Sequence, residues 1–168
     1  MRIIYILILI LPCQLSFGQT LDFDKFQFKE LNFFSSKSKI IGKLGNPNRE
    51  FEPNYDCGGL SADWQGGKYF SLDYEKVRFT GNKKAKYLIE KIDFENDNSV
   101  GLTYGKHILN CETELEKLSE IFGSQIKNRM DKGQLSGLFT VLHEKTDDGI
   151  ILEIKNGKLI RFRYWTSC

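Results

Sequence analysis

The chain of 168 residues carries 24 basic and 22 acidic side chains, a formal net charge of +2, with 13 phenylalanines and only 2 histidines. So even a balance argues against a nucleic-acid or polybasic membrane partner, whose affinity comes from a clustered positive field. The densest basic run, Lys83, Lys84 and Lys86, reads as a solvated turn, and the length suits a single domain with one core.

Arg2 precedes an unbroken apolar run over 3–11, then Pro12 and the small residues Ser16 and Gly18. This is the pattern of a secretory signal, 1–18, cleaved before Gln19, and the run is too short to span a bilayer. The expected product is an exported domain, 19–168, periplasmic or secreted. The alternative is a lipoprotein signal processed at Cys13, the one route to membrane anchoring, although Pro12 stands where a lipobox has a small residue.

Residues 20–34, with Phe26 and Phe28 in alternation, form an irregular or strand-like lead-in. Ser35 and Ser36 cap a short helix over 37–44, and Gly45 ends it before Asn46-Pro47. After the loop 48–56 the period changes to two. Strands over 60–64, 69–79 and 87–94, with turns at 65–68 and near Gly81-Asn82, make an antiparallel meander. Val100, Leu102 and Tyr104 alternate across another strand, which a short strand over 106–109 completes. A second helix follows. Thr113 and Glu116 have capping-box spacing, Leu115, Leu118, Ile121 and Phe122 make its apolar stripe, and Gly123 stops it. The polar stretch 124–133 leads to a strand near 138–144, a turn at 146–149, and the closing hairpin over 149–168.

That hairpin turns at Asn156-Gly157, since both residues tolerate positive φ. A two-residue loop sets Glu153 opposite Ile160 and mixes charges into both faces. A three-residue loop, Lys155-Asn156-Gly157, sets Leu152 opposite Ile160 and Ile150 opposite Phe162, the register expected here. Ile150, Leu152, Ile154, Ile160, Phe162 and Tyr164 then face inward. Glu153, Lys155, Arg161 and Arg163 face outward with Ile151, Leu159 and Trp165.

A helix ending at Gly45 followed by a meander, and another ending at Gly123 followed by a meander, suggest half-repeats over 35–94 and 110–168 with almost no shared identity. The fold class is α+β, two short helices packed on antiparallel meanders. On these features, with the export signal and the helix ends Ile121-Phe122-Gly123 and Lys43-Leu44-Gly45-Asn46-Pro47, the layout resembles that of β-lactamase inhibitor proteins and of small exported lipoproteins of the BamE type. The resemblance covers arrangement alone, and no functional residue follows from it.

With the signal removed, Cys57, Cys111 and Cys168 are an odd set in an oxidising compartment, so one pair and one free thiol are expected. Cys111 lies just ahead of the second helix and Cys168 ends the last strand. A Cys111–Cys168 bridge is expected, with Cys57–Cys111 the alternative, and closing the longer loop contributes ~4 kcal/mol on chain entropy. His107 and Cys111 have chelating spacing, yet structural zinc takes four ligands, so neither metal nor cofactor is expected. Asp147-Asp148 and Asp93 with Glu95 fall in or beside turns, and no phosphate loop, nucleotide fingerprint or serine elbow occurs.

Aromatic residues remain: Trp64, Tyr69, Tyr74, Tyr104 and Trp165 on expected strands, mostly as core and sheet cover. Trp165 is placed outward with Arg161 and Arg163, and with Trp64 these form the candidate binding residues. The functional expectation is a non-catalytic exported domain that binds a protein partner in the cell envelope, or another macromolecule, through its sheet face. The competing class is a small thiol-dependent or hydrolytic enzyme around Cys57 and His143, with Cys57-Gly58-Gly59 offering backbone amides.

Overall fold

The computed structural model describes residues 21–53, 55, 60, 67–82, 84 and 86–168. The expected signal, Cys13, Cys57, Trp64 and most of the 60–64 strand lie outside them. After a single 3-10 turn at Phe23–Lys25 come the strands Phe26–Phe28 (β1), Leu31–Asn32 (β2) and Phe34–Ser35 (β3) and the helix Lys37–Leu44 (α1). The strands Arg49–Phe51 (β4), Phe70–Asp73 (β5), Val77–Gly81 (β6), Tyr87–Asp93 (β7), Leu102–Tyr104 (β8) and His107–Leu109 (β9) follow. Helices Leu115–Phe122 (α2) and Ser124–Met130 (α3) then lead to Gly137–Leu142 (β10), Asp148–Lys155 (β11) and Lys158–Thr166 (β12).

These elements make an α+β fold of three helices with antiparallel strands in two sheets. The large sheet has the order β10-β11-β12-β7-β6-β5-β4, and the small one β2-β1-β8-β9. Each meander follows its helix or helix pair, and the two meanders join where β12 pairs with β7. β12 parts from β7 after Arg163, and β3 takes its place beside Leu88 and Tyr87.

The core fills the space between the sheets. Leu152 and Phe162, both fully buried, are direct partners across β11 and β12. The Phe162 ring stands 5.2 Å from Phe26 of the small sheet, which in turn lies 4.5 Å from Tyr104. α2 closes one end by inserting Phe122 5.1 Å from Tyr104 and burying Leu115, Leu118 and Ile121. Aromatic pairs at such separations add to what area burial alone supplies.

The closing hairpin departs from the expected register. Asn156 and Gly157, at φ 52° and 77°, make a two-residue turn that pairs Lys155 with Lys158 and Ile154 with Leu159. The extra residue sits one step further on, at Ile160, so that Glu153 pairs with Arg161 and Leu152 with Phe162. A bulge in β12, rather than a longer loop, restores the pure inner face. Leu159 therefore turns inward and is buried, and Ile160 is displaced to the partly exposed side.

Three further expectations are corrected. The 69–79 segment is two strands, β5 and β6, folded at a turn where the Tyr74 amide bonds the Val77 carbonyl at 2.9 Å. The Thr113 hydroxyl does not cap α2. It accepts the Asn110 amide at 2.9 Å in the preceding turn, and Glu114 occupies the cap without a side-chain bond. The polar stretch after Gly123 holds α3, which covers the outer edge of the large sheet. Gln125 there accepts the Leu142 amide at 2.8 Å and donates to the Leu142 carbonyl at 3.1 Å, and Arg129 donates to the Leu138 carbonyl. An exposed strand edge is a template for unwanted pairing, so a helix that occupies these groups protects the fold.

Candidate functional site

Side chains alternate between the faces of a strand, so on β12 the inward Phe162 leaves Arg161, Arg163 and Trp165 on the outer face. Arg161, Arg163 and Trp165 share that face, as alternation along the strand predicts. Each then meets a different row of neighbours. Arg161 is flanked by Glu153 of β11 and Asp93 of β7, with Nη1 2.8 Å from Glu153 Oε2 and Nη2 3.2 Å from Asp93 Oδ2. Burial alone would raise the Asp93 carboxyl, but the Glu95 amide and the Arg161 guanidinium outweigh it and hold that carboxyl below its ordinary range.

One row along, the pattern reverses. Arg163 pairs with Lys91, and Lys91 with Arg78, so three cations stand side by side across β12, β7 and β6. Arg78 is answered by Asp73, at 2.9 Å, and by Glu90, at 3.7 Å. Among the described residues neither Arg163 nor Lys91 has an ion-pair partner, and Nε of Arg163, like Nε of Arg161, is buried without a hydrogen bond. Like charges directly opposite one another destabilise a sheet, so this row is tolerated rather than favoured by the fold.

Trp165 borders that row and pairs with Gly149. A Cβ on Gly149 would stand 2.3 Å from the Val141 carbonyl oxygen, which restricts the position to glycine and leaves no side chain opposite the indole. Further out on the same face, Leu138 and Leu142 of β10 are 47% and 45% exposed, among the few large apolar side chains so open to solvent. The outer face thus combines unneutralised cations with a half-buried tryptophan and an exposed aliphatic margin.

A second feature of this face had no signal in the sequence. β7 carries a bulge opposite Arg78 and Phe79 that makes Glu90 the extra residue and turns its side chain toward β6. There the carboxylate accepts from Thr80 Oγ1, which is 2.7 Å from Ser71 Oγ, both residues being fully buried. The Tyr55 phenol lies against the same group, and burial together with the Glu90 carboxylate pushes it above its usual value. The network is internally satisfied and ties the chain at Tyr55 to the sheet.

The remaining candidates are dispersed. Tyr69 and Tyr104 are buried, Tyr104 packing in the core. His143 sits at the exposed β10–β11 turn, stacked on Phe23 at 5.8 Å, with Nδ1 accepting from the Lys145 amide and 2.9 Å from Thr146 Oγ1. Trp64 and Cys57 fall outside the described residues. Among those residues no group of three or more histidines, cysteines or acidic side chains is placed to hold a metal ion.

The Cys111–Cys168 bridge is not formed, because Cys111 is a free thiol. Geometry explains this. Cys111 lies beside the start of β12, where Lys158 Nζ is 2.6 Å from Glu112 and the Leu159 amide bonds the Thr113 carbonyl at 2.9 Å. Cys168 lies past the far end of the same strand, and about ten extended residues span ~33 Å. A disulfide needs Cα atoms within ~7 Å. The free thiol of Cys111 excludes the alternative Cys57–Cys111 pairing as well.

Comparison with known proteins gives no match: no family model, no curated protein and no solved structure is significantly similar to this chain.

Proposed function

We propose that this protein is an exported, non-catalytic domain that binds an acidic protein partner in the cell envelope through the outer face of its large sheet. The observation that carries this reading is the Arg163–Lys91 pair, two adjacent cations without an ion-pair partner among the described residues, set beside Trp165. A fold gains nothing from such a row, whereas an incoming carboxylate would accept from the Lys91 ammonium and the outer end of the Arg163 guanidinium. Charge-assisted hydrogen bonds of this kind, framed by an aromatic ring and the exposed Leu138 and Leu142, are the usual anchors of a protein interface. Export rests on Arg2, the apolar run at 3–11 and the small residues before Gln19. For a thiol or hydrolytic enzyme around Cys57 and His143, the described residues offer only a histidine whose Nδ1 is engaged in its own turn.

The test immobilises the protein and its double variant Lys91→Glu/Arg163→Glu, and passes envelope extract over both. Retention by the native protein that is released near 0.5 M salt (about the concentration at which screening falls within ~5 Å), and that disappears in the double variant, supports the reading. Equal retention by both proteins contradicts it.

A further inference from the structure

On the opposite side of β5 and β6 from the outer face, a cleft of about 350 Å³ opens between the β1–β2 turn, the β5–β6 turn, the end of α1 and the loop after β7. Phe28, Val77 and Val100, all buried, lie at its base among a lining that is otherwise largely polar. Its rim carries two ammonium groups, Lys29 and Lys76, and two carboxylates, Glu75 and Asp97.

Three of these four charged groups, Lys29, Lys76 and Asp97, are positioned by local contacts. Lys29 and Glu30, at φ 47° and 66°, form the two-residue β1–β2 hairpin, which sets Lys29 Nζ 5.7 Å from the Phe28 ring. Lys76 donates to the Glu95 carbonyl at 3.3 Å. Asp97 Oδ1 accepts from the Ser99 hydroxyl at 2.6 Å and the Ser99 amide at 3.0 Å. Those bonds lower the Asp97 carboxyl, and Lys76 and Lys29, which line the same cleft, add to the effect.

We propose that this cleft binds a small zwitterion with an apolar body, an apolar dipeptide or amino acid, whose carboxylate meets Lys29 and Lys76 and whose ammonium meets Asp97. The volume of about 350 Å³ lies at the low end of the ~300–1,000 Å³ typical of small-molecule sites, which fits such a ligand. The apolar side chains at the base of the cleft meet the ligand's body, and the charged rim orients its ends. Because the rim holds both cations and carboxylates, a ligand of one sign would meet like charge there. This inference is independent of the outer face.

The experiment is an amide-resolved NMR titration of the purified protein with leucyl-phenylalanine, its N-acetyl derivative and its C-terminal amide. The expected result is saturable binding with a dissociation constant of ~0.1–1 mM, shifts centred on 74–77 and 97–100, and a loss of about tenfold on blocking either end. Lys76→Gln should weaken the free dipeptide by about tenfold and leave the amide unaffected. Shifts that fail to saturate at ~10 mM, binding indifferent to both blocks, or shifts centred on Arg163 and Lys91 would each overturn the proposal. The blocked ligands are titrated into the native protein, so their outcome does not depend on any variant's folding.

Discussion

Replacing Arg163 by methionine should make the protein more stable, although it deletes a charged side chain from a half-buried position. Methionine keeps the length and most of the apolar stem. It removes the buried Nε that has no acceptor, an unmet group that costs about 1–3 kcal/mol, and the like-charge contact with Lys91, worth about 0.2–1 kcal/mol. Lost guanidinium contacts offset part of this, for a net gain of about 1 kcal/mol, or ~2–4 °C in midpoint for a domain of this size. Arg161→Met, two residues away on the same face, also removes an unmet buried Nε but should leave the protein less stable than Arg163→Met does. It strips Glu153 and Asp93 of their shared partner, at side-chain exposures of 26% and 22%. That places the cost between those of exposed and buried pairs, at about 1–2 kcal/mol and ~3–6 °C. Thermal unfolding followed by circular dichroism at low salt compares the two. If both variants lose stability together, Arg163 serves the fold and the functional argument from its row fails.

Other expectations follow from the same structure. Because the folded Asp93 carboxyl lies below its ordinary value of 3.8, its contribution is full above that pH and is lost as pH falls through the folded value. Urea midpoints between about pH 2 and 6 should therefore show a shallower acid limb for Asp93→Asn than for the native protein. Cys111 should alkylate without reductant, and Cys168, which is disulfide-bonded, only after reduction; a linked Cys111–Cys168 peptide would contradict the geometry. Gln125→Ala should uncover the edge of β10, seen as faster hydrogen exchange at the Leu142 amide with little change in global stability.

What could be read from the chain was what neighbours in sequence decide. Ser36 and Gly45 bound α1 through local capping, and the structure has both, with the Ser36 hydroxyl accepting the Lys39 amide and Gly45 at φ 80°. Alternation alone put Arg161, Arg163 and Trp165 on one face. Where the choice depends on the whole sheet, local reasoning failed. The bulge belongs at Ile160 because Leu159 gains a buried site, a gain that exists only once the sheet is assembled. Polar α3 looks like a loop because its purpose, to occupy the edge of β10, lies in another strand. Lys91 joins Arg163 only through the β7–β12 pairing, about seventy residues apart, and Glu90 turns toward Thr80 only through a bulge that no spacing signals. The Cys111–Cys168 expectation treated both cysteines as near the helix start, and the length of β12 separates them.

The outer sheet face as the working surface is tested most directly by photo-cross-linking in the cells that make the protein. A benzophenone amino acid is placed at Ile151, beside Arg163 on the outer face, or at Ile108, which is 67% exposed on the small sheet. The account predicts a discrete adduct from position 151 that vanishes when Arg163 is replaced by glutamate, and none from position 108. Adducts from 108 alone, or from 151 regardless of the charge at 163, would contradict it.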